Sequence, residues 1–250
     1  MKSYSLVMSA HIAFVEIYVM IDFGKSYIMK VRVIVDFQTM IVFTMEMLGT
    51  VAFAASGAMV GAGKKMDIFG VCVLGVVTAV GGGMIRDIIL GITPPGVFQN
   101  SVYAAVATVT SCTVFAVLSL KRELLQGHFR EIYDRAMLIM DSIGLGVFTV
   151  IGVNTGIQQG YLHQTFLLVF LGTITGVGGG LLRDMMAGVP PYIFVRHVYA
   201  CASIAGALSC VLLARRFRTV EAMVVSAALV MLIRYLAAHY HWNLPKMEKE

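Results

Sequence analysis

Charge is what this chain has least of: 13% of its 250 residues are Asp, Glu, Lys or Arg, against roughly a quarter in ordinary soluble domains. Together with 58% apolar residues and a mean hydropathy of +0.84, that shortage excludes a water-soluble globule and points to an integral membrane protein. Cysteine is also scarce. Cys72, Cys112, Cys201 and Cys210 all fall within apolar runs and form no C-x-x-C pair, which reads as small packing residues. The alternating polar and apolar segments of a membrane β-barrel are missing. No serine or cysteine has a matched histidine and acid nearby, and the six histidines show no two-ligand helical spacing. His239 and His241 read as membrane-surface residues. No catalytic residue, metal site or cofactor is therefore expected, and an enzyme is disfavoured. Gly61-Ala62-Gly63-Lys64-Lys65 is not a phosphate loop, because five residues separate Gly57 from Gly63 and no Ser or Thr follows the lysine. The net charge of +5 and the pI near 9.1 do not imply a nucleic-acid partner. The basic residues lie in short connections between apolar runs, where membrane proteins keep them.

What the chain has in quantity is apolar runs close to the 20 residues needed to cross a bilayer. The lipid bilayer is thus its first partner. Residues 1–35 are the hardest to read: an apolar stretch over 6–21 is short, interrupted by His11 and Glu16, and followed by Asp22, Lys25, Lys30 and Arg32. No small-residue cleavage site follows it. It is expected to be an interfacial or loosely attached extension, with an eighth span or a start at Met29 as alternatives. Spans are expected over residues 40–60, 66–91, 101–120, 136–157, 165–188, 198–214 and 220–238, with a charged connection over 121–135 and a polar tail over 239–250.

One unusual sequence occurs twice. Thr78-Ala79-Val80-Gly81-Gly82-Gly83-Met84-Ile85-Arg86-Asp87 returns 97 residues later as Thr175-Gly176-Val177-Gly178-Gly179-Gly180-Leu181-Leu182-Arg183-Asp184, and each copy precedes a Pro-Pro pair, Pro94-Pro95 and Pro190-Pro191. Before each copy, Glu46, Phe53 and Gly57 correspond to Asp141, Phe148 and Gly152 at a constant offset of 95. The repeat is thus three spans long, 36–120 and 136–214. An odd number of spans makes the two copies enter the membrane from opposite faces. The fold expected is an all-α integral membrane protein of seven transmembrane helices, two inverted three-helix repeats plus one, the architecture in which transport proteins place their site at the repeat interface. Basic residues at 64, 65, 121, 122, 130, 135, 196, 246 and 249, against Arg215, Arg216 and Arg218 on the other side, favour a cytoplasmic C-terminus in a multi-pass cell-membrane protein.

Three consecutive glycines weaken a helix by about 1 kcal/mol each relative to alanine, so the second and fifth spans are expected to break at Gly81, Gly82 and Gly83 and at Gly178, Gly179 and Gly180. Freed carbonyls, with the hydroxyls of Thr78 and Thr175, are suited to a monovalent cation. The alternative is that the glycines only allow two helices to cross closely. Neighbouring residues on a helix point in different directions, so Arg86 and Arg183 are expected to pair with acids other than Asp87 and Asp184. Each Asp would sit in the first turn after the break, where a helix N-terminus favours an anion. These four residues are either interfacial ion pairs or a positive gate beside a path. Glu46 and Asp141 either sit in the head-group zone, attract cations, or pair with Arg86 or Arg183.

On these residues the chain resembles the bacterial branch of the trimeric intracellular cation (TRIC) channel family, which overlaps a domain family called "glycine transporter". The similarity covers residues 36–238 and includes the segment 49–58, Asp67-Ile68-Phe69-Gly70 and both glycine-arginine-aspartate copies. The resemblance implies two inverted three-helix repeats plus one helix, breaks at both glycine triplets, and a homotrimer with a potassium-permeable pore in each protomer. A monovalent-cation channel is the function expected. A carrier of glycine or another small zwitterion is the second reading, because a half-helix N-terminus suits a carboxylate and exposed carbonyls suit an ammonium. A non-transport membrane scaffold is the third.

Overall fold

The computed structural model describes residues 25–120, 130–195, 198–240 and 242. In chain order the helices are α1 (Lys25–Gly63), α2 (Ile68–Ile89), α3 (Gly96–Gln99), α4 (Val102–Leu120), α5 (Arg130–Gln158), α6 (Thr165–Met186), α7 (Tyr192–Val195), α8 (Tyr199–Ala214) and α9 (Thr219–His239). Every regular element among the described residues is helical. The described residues divide into two units, one ending at Phe43 and the other beginning at Thr44. The second unit holds both glycine triplets and the acids and arginines that accompany them.

Among the described residues, six helical segments are long and apolar enough to cross a membrane: Gln38–Gly63, Ile68–Ile89, Val102–Leu120, Glu131–Gln158, Thr165–Met186 and Thr219–His239, with Tyr199–Ala214 a shorter apolar helix. Large apolar side chains such as Phe69, Phe98, Phe166 and Phe194 face outward, while Ser56, Thr78, Ser111, Thr149, Thr175, Ser203 and Ser226 are buried. This distribution suits a lipid solvent, in which small interior residues let helices approach and lipid supplies the contacts for large ones.

Local chemistry sets the helix ends. Asp67 caps α2, its carboxylate accepting from the Gly70 N–H at 2.7 Å. At the other end Gly91 takes φ +69°, and in α6 Gly188 takes φ +63°. This left-handed turn lets the Ile92 N–H reach the Asp87 carbonyl at 2.8 Å, and the Val189 N–H the Asp184 carbonyl at 3.0 Å. The proline pairs follow each turn.

The two halves meet through antiparallel contacts. A Cβ added to Gly49 would lie 2.8 Å from Val147 and 3.2 Å from Phe148, and one on Gly144 would collide with the Phe53 ring. Phe53 and Phe148, equivalent residues at the offset of 95, pack on each other with ring centroids 5.3 Å apart. Farther along α1, the Tyr133 hydroxyl near the start of α5 donates to the Met59 carbonyl. As numbers rise on α1 they fall on α5, so these two helices run in opposite directions.

One expectation is corrected by the structure. Both glycine triplets lie inside continuous helices, α2 and α6, and neither helix breaks. The magnitudes explain it: a break at membrane depth strands several backbone groups at several kcal/mol each, more than the roughly 1 kcal/mol that each glycine gives up in helix propensity. Residues 25–35 of the expected extension are helical. The earlier part of that extension, residues 1–24, lies outside the described residues, as do residues 121–129 of the charged connection and residues 243–250 of the tail.

Candidate functional site at the crossing of α2 and α6

The two repeated stretches come together. A Cβ on Gly82 would collide with the Thr175 carbonyl oxygen and lie 3.2 Å from the Gly179 nitrogen, while one on Gly179 would collide with the Thr78 carbonyl oxygen. These contacts are reciprocal, since Gly82 corresponds to Gly179 and Thr78 to Thr175 at the offset of 97. A self-complementary contact of this kind belongs to a two-fold relation. The outer glycines differ: Gly178 would meet the Gly82 Cα at 3.1 Å, Gly81 would meet the Leu182 side chain at 2.5 Å, and Gly83 has only the Arg86 Nη2 at 3.8 Å. Close helix crossing, one of the two readings of the triplets, is thus a physical use of the middle pair.

Thr78 and Thr175 are buried and each hydroxyl donates to its own helix, to Leu74 and Leu171 respectively, at 2.6 Å. This is the back-bond open to a threonine within a helix. Each also faces a glycine of the preceding long helix: a Cβ on Gly57 would lie 2.5 Å from the Thr78 hydroxyl, and one on Gly152 2.6 Å from that of Thr175.

The ionisable residues form two groups near the C-terminal ends of α2 and α6. In the first, Arg86 Nε and Nη2 reach Asp87 Oδ1 at 2.8 and 2.7 Å, and the half-buried Glu46 accepts from the Tyr103 hydroxyl. In the second, Arg183 is fully buried. Its Nε donates to Asp184 Oδ1 at 2.8 Å, and its Nη1 donates to both Asp141 Oδ1 and Ser56 Oγ at 2.5 Å. Arg234 of α9 approaches Asp141 Oδ2 at 3.9 Å. The Arg183 guanidinium lies 5.2 Å from the Tyr192 ring centre and that of Arg234 4.7 Å from Tyr199. Two carboxylates and two guanidiniums leave this cluster formally neutral, which is how charges survive burial.

The pairing expectation is therefore corrected in part. Arg86 turns to its own Asp87. Arg183 does both, holding Asp184 and the distant Asp141. An arginine is long enough to fold back along the helix surface, so divergent Cβ directions do not prevent contact with its neighbour. The expected helix N-terminus for each Asp is also relocated. Asp87 and Asp184 close the ends of α2 and α6, and their Oδ2 atoms accept from the N–H of Gly96 and Tyr192, each at 2.8 Å. Those N–H groups are the first after the proline pairs, which have none to offer.

Sequence reasoning missed Arg234, Tyr103, Tyr192, Tyr199 and Ser56. Arg234 had a usable signal, a lone charge inside the apolar run 229–237. Ser56 had none, because its counterpart at the offset of 95 is Ile151.

Together these features define a polytopic all-helical membrane protein built on two glycine-bearing helices that cross antiparallel beside buried arginine-aspartate clusters. The family model described as "Glycine transporter" matches residues 43–119 and 138–215. A UPF0126 membrane protein of Deinococcus radiodurans is 36% identical over 203 residues, which are 80% of this chain and 89% of that protein. The UPF0126 inner membrane protein YadS of Escherichia coli K12 is 36% identical over 212 residues, 82% and 96% of the two chains. Among solved structures, a prokaryotic TRIC channel crystallised in 0.5 M KCl matches with a TM-score of 0.74 and 29% identity over 82% of this chain and 100% of that one. The TRIC orthologue of Rhodobacter sphaeroides matches with a TM-score of 0.72 and 30% identity, over 80% and 98%. This chain belongs to the glycine-transporter (UPF0126) family, and its fold is that of the TRIC channels.

Proposed function

We propose that this protein is a passive monovalent-cation channel, permeable to potassium, in the inner membrane of a bacterium. The similarity that carries the reading is the match to the whole length of a prokaryotic TRIC channel at 29% identity. The TRIC channel of Rhodobacter sphaeroides is described as trimeric, and the same homotrimeric assembly is proposed here.

Within each protomer the architecture is two inverted repeats, 36–120 and 136–214, plus the helix 220–238. The reading is supported by the antiparallel contacts of α1 with α5 and of α2 with α6. It requires α8 to be a crossing helix despite its 16 residues, roughly 24 Å of rise. Support comes from Arg215 just beyond α8, which donates to Thr165 at the start of α6 at 2.7 Å. The C-terminal end of α8 thus lies beside the start of α6.

The permeation path is assigned to the crossing, lined by Thr78, Thr175 and the edges of both triplets, with Glu46, Arg86, Asp87, Asp141, Arg183 and Asp184 as its gating or stabilising charges. Gly83 is the glycine with space beside it, so its substitution separates conduction from folding. In liposomes, potassium flux is expected above that of empty vesicles, and Gly83→Leu is expected to reduce it without lowering the melting temperature in detergent. Wild-type protein that gives no potassium flux overturns the reading.

A second reading, a carrier of glycine or a similar small zwitterion, is favoured by the description of the matching family model. Saturable glycine uptake in the same liposomes, without potassium conductance, would select it. Absence of both fluxes would leave a scaffold.

A further inference from the structure

Cys72 on α2 and Cys112 on α4 stand 40 positions apart in sequence, yet their Sγ atoms are 3.3 Å apart. Both are free thiols and neither is fully buried. Cys72 also lines an apolar groove of about 490 Å³, walled by Ile68, Phe69, Val76 and Thr108 among others. Ile68 and Phe69 are 51% and 75% exposed, so the groove opens on the outer face of α2. Ile68, Cys72 and Val76 follow one another by a helical turn on α2, and Thr108 and Cys112 do so on α4. The two thiols therefore lie along one seam at the groove.

Packing alone does not require sulfur at this seam. At the offset of 97 that relates the two triplets, Cys72 corresponds to Val169, and at the offset of 96 that relates the proline pairs, Cys112 corresponds to Leu208. The second half carries aliphatic side chains at the equivalent positions.

We propose that Cys72 and Cys112 form an oxidisable dithiol, which an organic hydroperoxide reaching the groove from the bilayer converts into a disulfide joining α2 to α4. One sulfur attacks the terminal peroxide oxygen, the O–O bond breaks, an alcohol leaves and a sulfenic acid forms. The second sulfur attacks the first, the S–O bond breaks and water leaves. Two thiols and one hydroperoxide thus give one disulfide, one alcohol and one water, with two electrons passing from sulfur to peroxide. The second step is intramolecular between atoms already at near-attack separation, so it outruns further oxidation of the sulfenic acid. The crosslink restrains the helix that carries Thr78 and the first glycine triplet. The proposal rests on the geometry of the thiols and not on the channel reading.

The test counts thiols in full-length protein reconstituted into liposomes. After treatment with cumene hydroperoxide and denaturation in detergent, mass-tagged maleimide is expected to label two of the four cysteines, and dithiothreitol is expected to restore all four. Cys72→Ser and Cys112→Ser should each form no disulfide and lose at most the one thiol that stops at the sulfenic acid, whereas a Cys201→Ser, Cys210→Ser double variant should lose both of its own. Four tags on the wild type after peroxide, a wild-type loss that dithiothreitol does not reverse, or the loss of two tags in Cys72→Ser would overturn the proposal.

Discussion

Within each triplet the glycines have unequal surroundings, and the difference is measurable. Gly82 and Gly179 each face a backbone carbonyl of the opposite helix that cannot rotate away, whereas Gly83 faces open space up to the Arg86 side chain. Alanine at Gly82 or Gly179 must push α2 and α6 apart, with an overpacking penalty of about 1–3 kcal/mol that exceeds the roughly 1 kcal/mol of helix propensity gained. Alanine at Gly83 keeps the propensity gain with little steric penalty. Thermal melts in detergent should therefore show Gly82→Ala and Gly179→Ala below the wild type and Gly83→Ala at or above it. Gly81 should fall between, because the group it meets is the end of the flexible Leu182 side chain. This ordering could not be read from three identical letters in a row.

At the scale of helices, the long apolar runs were legible and their polar ends were not. The expected spans 66–91, 165–188 and 220–238 differ from α2, α6 and α9 by at most two residues at each end, because Asp67, the left-handed glycines and the prolines mark the ends chemically. By contrast α1 and α5 begin at Lys25 and Arg130, well before the expected 40 and 136. Apolarity locates the bilayer, and a helix continues into the head-group zone wherever its own hydrogen bonds persist. The doubled glycine-arginine-aspartate stretch was legible as well, but its ionic details depend on packing: Arg183 draws Ser56 of α1 and Asp141 of α5 onto α6, with Arg234 of α9 at the same acid. The equivalent first group has only a half-buried Glu46. Removing one partner of a buried pair costs about 3–5 kcal/mol, because the other charge is left uncompensated. Removing an ordinary hydrogen bond costs about 0.5–1.5 kcal/mol. Asp141→Ala should therefore destabilise the protein severely, and Glu46→Ala only mildly, in the same detergent melts. Equal losses would mean that the two groups are energetically symmetric, contrary to their burial.

For the whole molecule, the open quantity is how many times the chain passes between the two membrane faces. Gln159 lies just past α5, and Trp242 just past α9. Three helices long enough to matter stand between them: α6, α8 and α9. If α8 crosses, the count is odd and the two positions face opposite compartments. If it does not, they share one. If α8 crosses, the larger set of lysines and arginines lies with Trp242, on the side that the positive-inside rule assigns to the cytoplasm. In a variant whose native cysteines are replaced by serine, a membrane-impermeant maleimide applied to intact cells should label Gln159→Cys and leave Trp242→Cys unlabelled. In inverted vesicles the pattern should reverse. Neither substitution removes a charge, so the orientation signal is left as it stands. Labelling of both positions from the same side would remove α8 from the crossing helices and with it the inverted three-helix repeat. Opposite sides with the polarity exchanged would keep the repeat and overturn only the orientation.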